Sequence, residues 1–269
     1  MGSVKYDIQE RSKMKDELKV IFRKLPNFDE IELYPVADLH WEDPNTNKDL
    51  FMKFVAYILD KPNRYIVVNG DITDDAIISS VSDIYGAEMN PGESTNQVSH
   101  ILRQLIERVL AWGTGNHEGR IYKLTGIDIS AIMAEKAGLS LEYYHNNSFM
   151  LFINFGGIDY SAYFQHGNGG GRQKGGKLNM VVRMTEVVDA DMFTSSHVHD
   201  PMFTPLKSFK VNYELKRCEP HIQYCMISNA WQYYGGYGQT HGFRPAPNTI
   251  IYYRLDGKQK GISLHTIDL

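Results

Sequence analysis

Five times between residues 38 and 199, an apolar, strand-like run ends on residues suited to binding a metal. The groups are Asp38-Leu39-His40, Gly70-Asp71, Gly115-Asn116-His117-Glu118, His166, and His197-Val198-His199. They hold five of the chain's ten histidines. A chain written this way is constrained to bring several strand ends together, since carboxylate, amide and imidazole donors work on an ion only when clustered. Asp38 and His40 are two positions apart, as are His197 and His199, and in an extended segment such residues point the same way. Two such pairs can face one pocket from the ends of neighbouring strands.

The intervening sequence supplies the strands. Met14, Leu18, Ile21, Phe22 and Leu25 among charges predict an amphipathic helix over 9–25. A buried strand over 31–37 then ends at Asp38, a helix follows over 48–59, and a strand over 65–68 ends at Gly70-Asp71. A helix over 98–109 leads to a strand over 110–114, and a helix over 129–136 stops at Gly138. Gly156-Gly157 marks a hairpin between strands over 149–155 and 158–165. A glycine-rich loop (167–176) precedes a helix over 178–188, and a strand over 191–195 runs into the last histidine pair. Strands over 203–213, 221–227, 249–255 and 261–267 complete the chain. Helix–strand alternation followed by strand-rich sequence predicts an α/β fold, a layered sandwich with a mixed sheet. No linker divides the chain, so residues 1–269 are expected to form one domain with a strand-rich part at 200–269.

Composition narrows the class. A net charge of −4 gives no global basic field, which argues against a pure nucleic-acid-binding module. It does not exclude a nuclease, because bound metals supply local positive charge. No run of eighteen apolar residues suggests a membrane span. The charged first 24 residues lack a signal-peptide apolar region, and Tyr6 stands where myristoylation at Gly2 wants Ser or Thr. The expectation is a cytoplasmic protein. Its two cysteines, Cys218 and Cys225, read as buried thiols. Neither paired Cys-x-x-Cys motifs nor the helical two-histidine zinc pattern occurs.

Oxygen and imidazole donors without thiolate suit Mn, Fe, Zn or Ni, with Mn the first expectation. Two divalent ions set against Asp38 and Asp71 leave about +2, an attractive field for phosphate oxygens. Metals lower the pKa of bound water from 15.7 to about 7–9, and paired ions sit about 3.5–4 Å apart.

The ordered set of five groups resembles the calcineurin-like metallophosphoesterase superfamily. The resemblance implies an αββα sandwich and a binuclear-metal phosphoric ester hydrolase that attacks with a metal-bridged hydroxide. It implies Asp38, His40 and His199 on one divalent ion, Asn116, His166 and His197 on the other, and Asp71 bridging both. His117 is then the histidine that binds phosphate rather than metal and assists the leaving oxygen, oriented by a carboxylate such as Asp74 or Glu118. Two departures stand out. Ser196 replaces the usual glycine of the last group. In Gly70-Asp71-Ile72-Thr73-Asp74-Asp75-Ala76 the arginine of serine/threonine protein phosphatases is missing, which disfavours that branch.

Softer signals surround the set. Gly171 to Lys177 has P-loop spacing, but Leu178 replaces the Ser or Thr that would hold magnesium. A plain loop beside His166 is the preferred reading, with Arg172, Lys174 and Lys177 as candidate substrate contacts and Arg120 as another. Trp231, Tyr233, Tyr234, Tyr237 and Phe243 could stack on a base, although aromatics more often cover a sheet. His100, His145, His221, His241 and His265 lack partners in sequence and read as ordinary polar residues. The leading expectation is a phosphodiesterase or nuclease acting on a phosphate ester, with a nucleotide or nucleic acid as substrate and no membrane partner. A phosphomonoesterase, a non-catalytic scaffold and an NTP-binding P-loop protein are the alternatives.

Overall fold

Alternation within continuously apolar strands sets up the layers. In β3 (Arg64–Asn69), Tyr65 and Val67 enter one core while Ile66 and Val68 enter another, so the strand is buried on both faces. The same division holds in β2 (Glu30–Val36), where Ile31 and Leu33 oppose Tyr34 and Val36. The computed structural model describes residues 18–78, 80, 84–169, 171 and 173–269.

Two six-stranded mixed sheets result. The first has β2 and β3 parallel to β4 (Val109–Gly113) and β5 (Tyr144–His145), with β11 (Ile250–Asp256) and β12 (Ile262–Ile267) antiparallel beyond β2. The second runs β1 (Lys19–Lys24), β6 (Phe149–Phe155), β7 (Ile158–Phe164), β8 (Met192–Ser195), β10 (Arg217–Ile227), β9 (Met202–Asn212). A central core of residues such as Leu33, Val67, Tyr253, Leu151, Ala162 and Met226 lies between the sheets. Helices α1 (Lys48–Asp60), α2 (Pro91–Arg103) and α4 (Ile129–Ala137) cover the outer face of the first sheet, and α5 (Lys174–Arg183) covers that of the second. Among the described residues the other α-helices are α3 (Asn116–Thr125) and the short α6 (Gly236–Thr240). The layers are therefore αββα, as expected. Among the described residues no helix is long and apolar enough to cross a membrane.

Several element expectations need correction. The described part of 9–25 is strand β1, paired in parallel with β6, and 9–17 lies outside the described residues. Ile21 and Leu25 are buried, while Val20 and Phe22 are 50% and 59% exposed. A spacing of four fits both one helical turn and two strand repeats, and pairing with β6 decides for the strand. Helix α2 starts at Pro91, not 98, under a capping box of Asn90 and Glu93, and it gives way to a 3₁₀ turn at Ile106–Arg108. Helix α5 begins at Lys174 rather than 178. Cys225 is buried but Cys218 is exposed; both are free thiols.

Candidate metal centre

The parallel strands β2, β3 and β4 end at one edge of the first sheet, and β7 and β8 end beside them in the second. Asp38 to Trp41 run along the loop after β3: the amides of Asp38, Leu39, His40 and Trp41 donate to the carbonyls of Gly70, Asp71, Asp71 and Ile72. Leu39 and Ile72 are fully buried and anchor this loop pair. Asp38, His40, Asp71, His197 and His199 all have left-handed backbone, with φ of 52°, 48°, 52°, 70° and 50°. That conformation costs non-glycine residues about 1–3 kcal/mol each and persists only where the surroundings enforce it. The two-residue spacing therefore does not act through extended strands as expected; it acts through tight, irregular turns past the strand ends.

Two glycines make the loops' close approach possible. A Cβ on Gly70, which has φ of 87°, would lie 2.2 Å from the Gly115 nitrogen. A Cβ on Gly115 would lie 2.1 Å from Asp71 Oδ1.

The seven expected metal residues fall at this junction. Asp38, His40 and His199 form one cluster, and Asp71, His166 and His197 another, each with ligand atoms within 4.8 Å of one another. His40 Nε2 lies 3.2 Å from His199 Nε2, which lies 3.4 Å from Asp38 Oδ1. His166 Nε2 faces Asp71 Oδ2 at 2.9 Å. Asn116 opens α3 with an exposed side chain at the rim.

The donor set fits divalent cations. His166 Nδ1 donates to the Asn69 carbonyl at 2.7 Å, which turns Nε2 toward Asp71 as the nitrogen left for an ion. That Nε2 and Asp71 Oδ2 are buried and, among the described residues, have no partner within hydrogen-bond distance but each other. His40 Nε2 and His199 Nε2, 3.2 Å apart, are spaced so that both can bind one cation or share one proton. Burial works against the charge on Asp71, but His166 and His117 hold its carboxyl well below the usual range. Burial likewise opposes Asp38, and His199 with His166 keeps it low. Burial, reinforced by His166, lowers His197 and favours the neutral ring a metal requires.

His117 forms a third such cluster with His40 and Asp71, but its ring is also engaged by Asp74. Its Nδ1 lies 2.8 Å from the Asp74 carbonyl and 2.9 Å from Asp74 Oδ1, while Nε2 is 3.8 Å from Asp71 Oδ2. Burial disfavours the imidazolium, yet Asp71 and Asp74 push the His117 pKa up to about 9. Glu118, the other carboxylate expected to orient His117, is turned away. It accepts the amides of Asp71, Ile72 and Gly115 at 3.0, 2.7 and 3.0 Å, clamping the metal loop to the start of α3. Glu42 does the same for the amides of Asp74 and Asp75.

The expected substrate contacts divide. Arg120 reaches toward Asp74, with Nη1 3.4 Å from the same carbonyl that His117 meets. Lys177 is paired with Asp200 at 3.2 Å and approaches the Val198 carbonyl, and Lys174 lies 3.6 Å from Asp200. Lys174, Gly175, Gly176 and Lys177 form the first turn of α5. Arg172 lies outside the described residues. Trp231 is buried against Phe51 and Phe54, whereas Tyr233 and Tyr234 are about half exposed. Sequence reasoning missed Glu42, Asn69 and Ser228. Glu42 and Asn69 lie within two residues of a metal group, and nothing local marks Ser228.

A family model described as calcineurin-like phosphoesterase matches residues 34–217, a span that includes all five groups. No curated protein matches the chain.

Proposed function

The chain belongs to the calcineurin-like phosphoesterase family, and from that premise we propose that it hydrolyses a phosphodiester with two divalent ions, Mn²⁺ foremost, on a nucleotide or nucleic acid. Asp38, His40 and His199 would hold one ion, Asn116, His166 and His197 the other, with Asp71 between them. Bound divalent cations supply positive charge for phosphate oxygens and make hydroxide accessible near neutral pH.

The protein's own groups do the rest. Asp74 fixes the His117 ring through Nδ1 and leaves Nε2 facing the Asp71 side of the site. So placed, His117 can give an Nε2 proton to the departing ester oxygen. Arg120, on the same helix, adds a guanidinium beside His117 for a non-bridging phosphate oxygen. The missing protein-phosphatase arginine, with Asp75 in that position, favours diesters over phosphoprotein monoesters.

One observation carries the proposal: His166 Nε2 and Asp71 Oδ2 are buried and face each other at 2.9 Å, where donors from both sheets converge. The test is elemental analysis of purified protein, followed by turnover of diester and monoester chromogenic substrates with and without Mn²⁺. Two ions per chain and faster diester cleavage are expected. Equal or better monoester cleavage overturns the diester preference, and no cleavage of either ester points to a scaffold.

A further inference from the structure

Beneath the metal residues, a buried relay of side chains joins the two sheets. Asn69 is the last residue of β3 in the first sheet and is 2% exposed. Its Nδ2 donates to Ser196 Oγ at 2.8 Å and to the Gln165 carbonyl at 3.3 Å. Ser228, just past the end of β10, donates its hydroxyl to the same Ser196 Oγ at 2.8 Å. Ser196 and Ser228 are completely buried. The backbone closes the relay: the Ser196 amide donates to the His166 carbonyl and the Ser228 amide to the Ser195 carbonyl, both at 2.9 Å. The Asn69 carbonyl accepts from His166 Nδ1.

The relay bears most directly on the half of the centre that holds His166 and His197. Asn69 fixes the ring of His166 through its carbonyl and the turn before His197 through its amide. Asp38 and His40 are anchored mainly by their amides on the Gly70 and Asp71 carbonyls, although the Asp38 carboxylate also accepts the His197 amide at 2.9 and 3.1 Å. A glycine at 196 has no hydroxyl to receive Asn69 or Ser228, so the relay exists because of the departure from the usual last group. Without Ser196 Oγ, the buried Asn69 amide keeps only the longer contact to Gln165, and a buried donor left so poorly paired favours a shifted side chain.

We propose that Asn69, Ser196 and Ser228 are positioning residues that set the affinity of the ion held by His166 and His197 more than that of the ion held by Asp38, His40 and His199. The inference rests on the two-ion reading above. Partners that orient metal-binding histidines typically change affinity by about 10–100-fold when removed.

The test is a calorimetric titration of Mn²⁺ into metal-stripped wild type, His166→Ala and Ser196→Ala, with thermal melts of the metal-free proteins. Ser196→Ala is expected to weaken about 10-fold or more the same ion that His166→Ala loses, and to leave the other within about threefold. Equal weakening of both ions, or of neither, overturns the relay. If Ser196→Ala does not fold, Ser228→Ala removes one donor, and the same selective weakening in smaller measure is expected. Wild type binding a single ion defeats the two-ion reading instead, and the relay then stands or falls on whether Ser196→Ala weakens that ion.

Discussion

Left-handed backbone at Asp38, His40, Asp71, His197 and His199 is a cost at five residues that the surroundings must enforce. The residue types of the centre were legible in the sequence because five donor groups, each placed at a strand end, make sense only if they converge on one site. The residues that hold them were not, since a carboxylate reaching across to backbone amides, as Glu118 and Glu42 do, leaves no local pattern. His117 makes the clearest single-residue prediction. His117→Asn should lower kcat by about 10²–10⁴-fold while metal content stays unchanged. Parallel loss of metal would make His117 a ligand instead. Asp75 predicts a pH effect on stability. Burial, then Glu118 and Glu42, push its pKa up to about 8 from an ordinary 3.8, so the folded protein keeps a proton that the unfolded chain releases. Stability from this group is full below about pH 4 and declines as pH rises toward 8. Asp75→Asn should raise the Tm at pH 8.5 and change it little at pH 4.5. A difference that is equal at both pH values removes the argument.

At the scale of elements, expectation failed where two periods coincide or where a cap was overlooked. Ile21 and Leu25 are four apart and serve a strand as well as a helix, and only β6, more than a hundred residues away, decides between them. The start of α2 was written in Asn90-Pro91 and Glu93 but hidden by weak apolar periodicity ahead of Val98. Helix α3 is the most consequential element, because its start delivers Asn116 and His117 while the His117 amide donates to Asp71 Oδ1 at 2.9 Å. That approach requires Gly115. Gly115→Ala would force a Cβ against Asp71 Oδ1, with a cost of about 1–3 kcal/mol from overpacking. It should lower both Tm and bound metal. Gly119→Ala, four residues on in the same helix, meets nothing within 4 Å and should stabilise by about 0.5–1 kcal/mol. Melting both variants beside wild type checks the pair; a Gly115→Ala protein with wild-type Tm and metal content would contradict the packing argument.

Across the whole molecule, the centre lies on the seam between the sheets. Asp38, His40, Asp71 and Asn116 come from the first sheet's loops, and His166, His197 and His199 from the second's. The layers were readable because strands buried on both faces need covering elements. The order of strands within each sheet was not, since β1 beside β6 and β11 beside β2 are pairings over long stretches of chain. Ions on a seam bind the folded state alone, so each should stabilise it by about 2.7 kcal/mol at a hundred times its Kd. Protons compete for the same place. Burial disfavours charge on His166, but Asp71 and Asp38 push its pKa up to about 10 in the metal-free protein, so the ring carries a proton at pH 7 where an ion needs its lone pair. Metal binding must therefore expel that proton, and affinity should rise with pH from 6 to 9 as the competition weakens. Calorimetric titration of Mn²⁺ at pH 7 in two buffers of different ionisation enthalpy measures the release directly. About one proton or more per chain is expected. No release, together with affinity flat across that range, would mean that the Asp71–His166 pair is already neutral at the imidazole and that the carboxylates do not hold it charged.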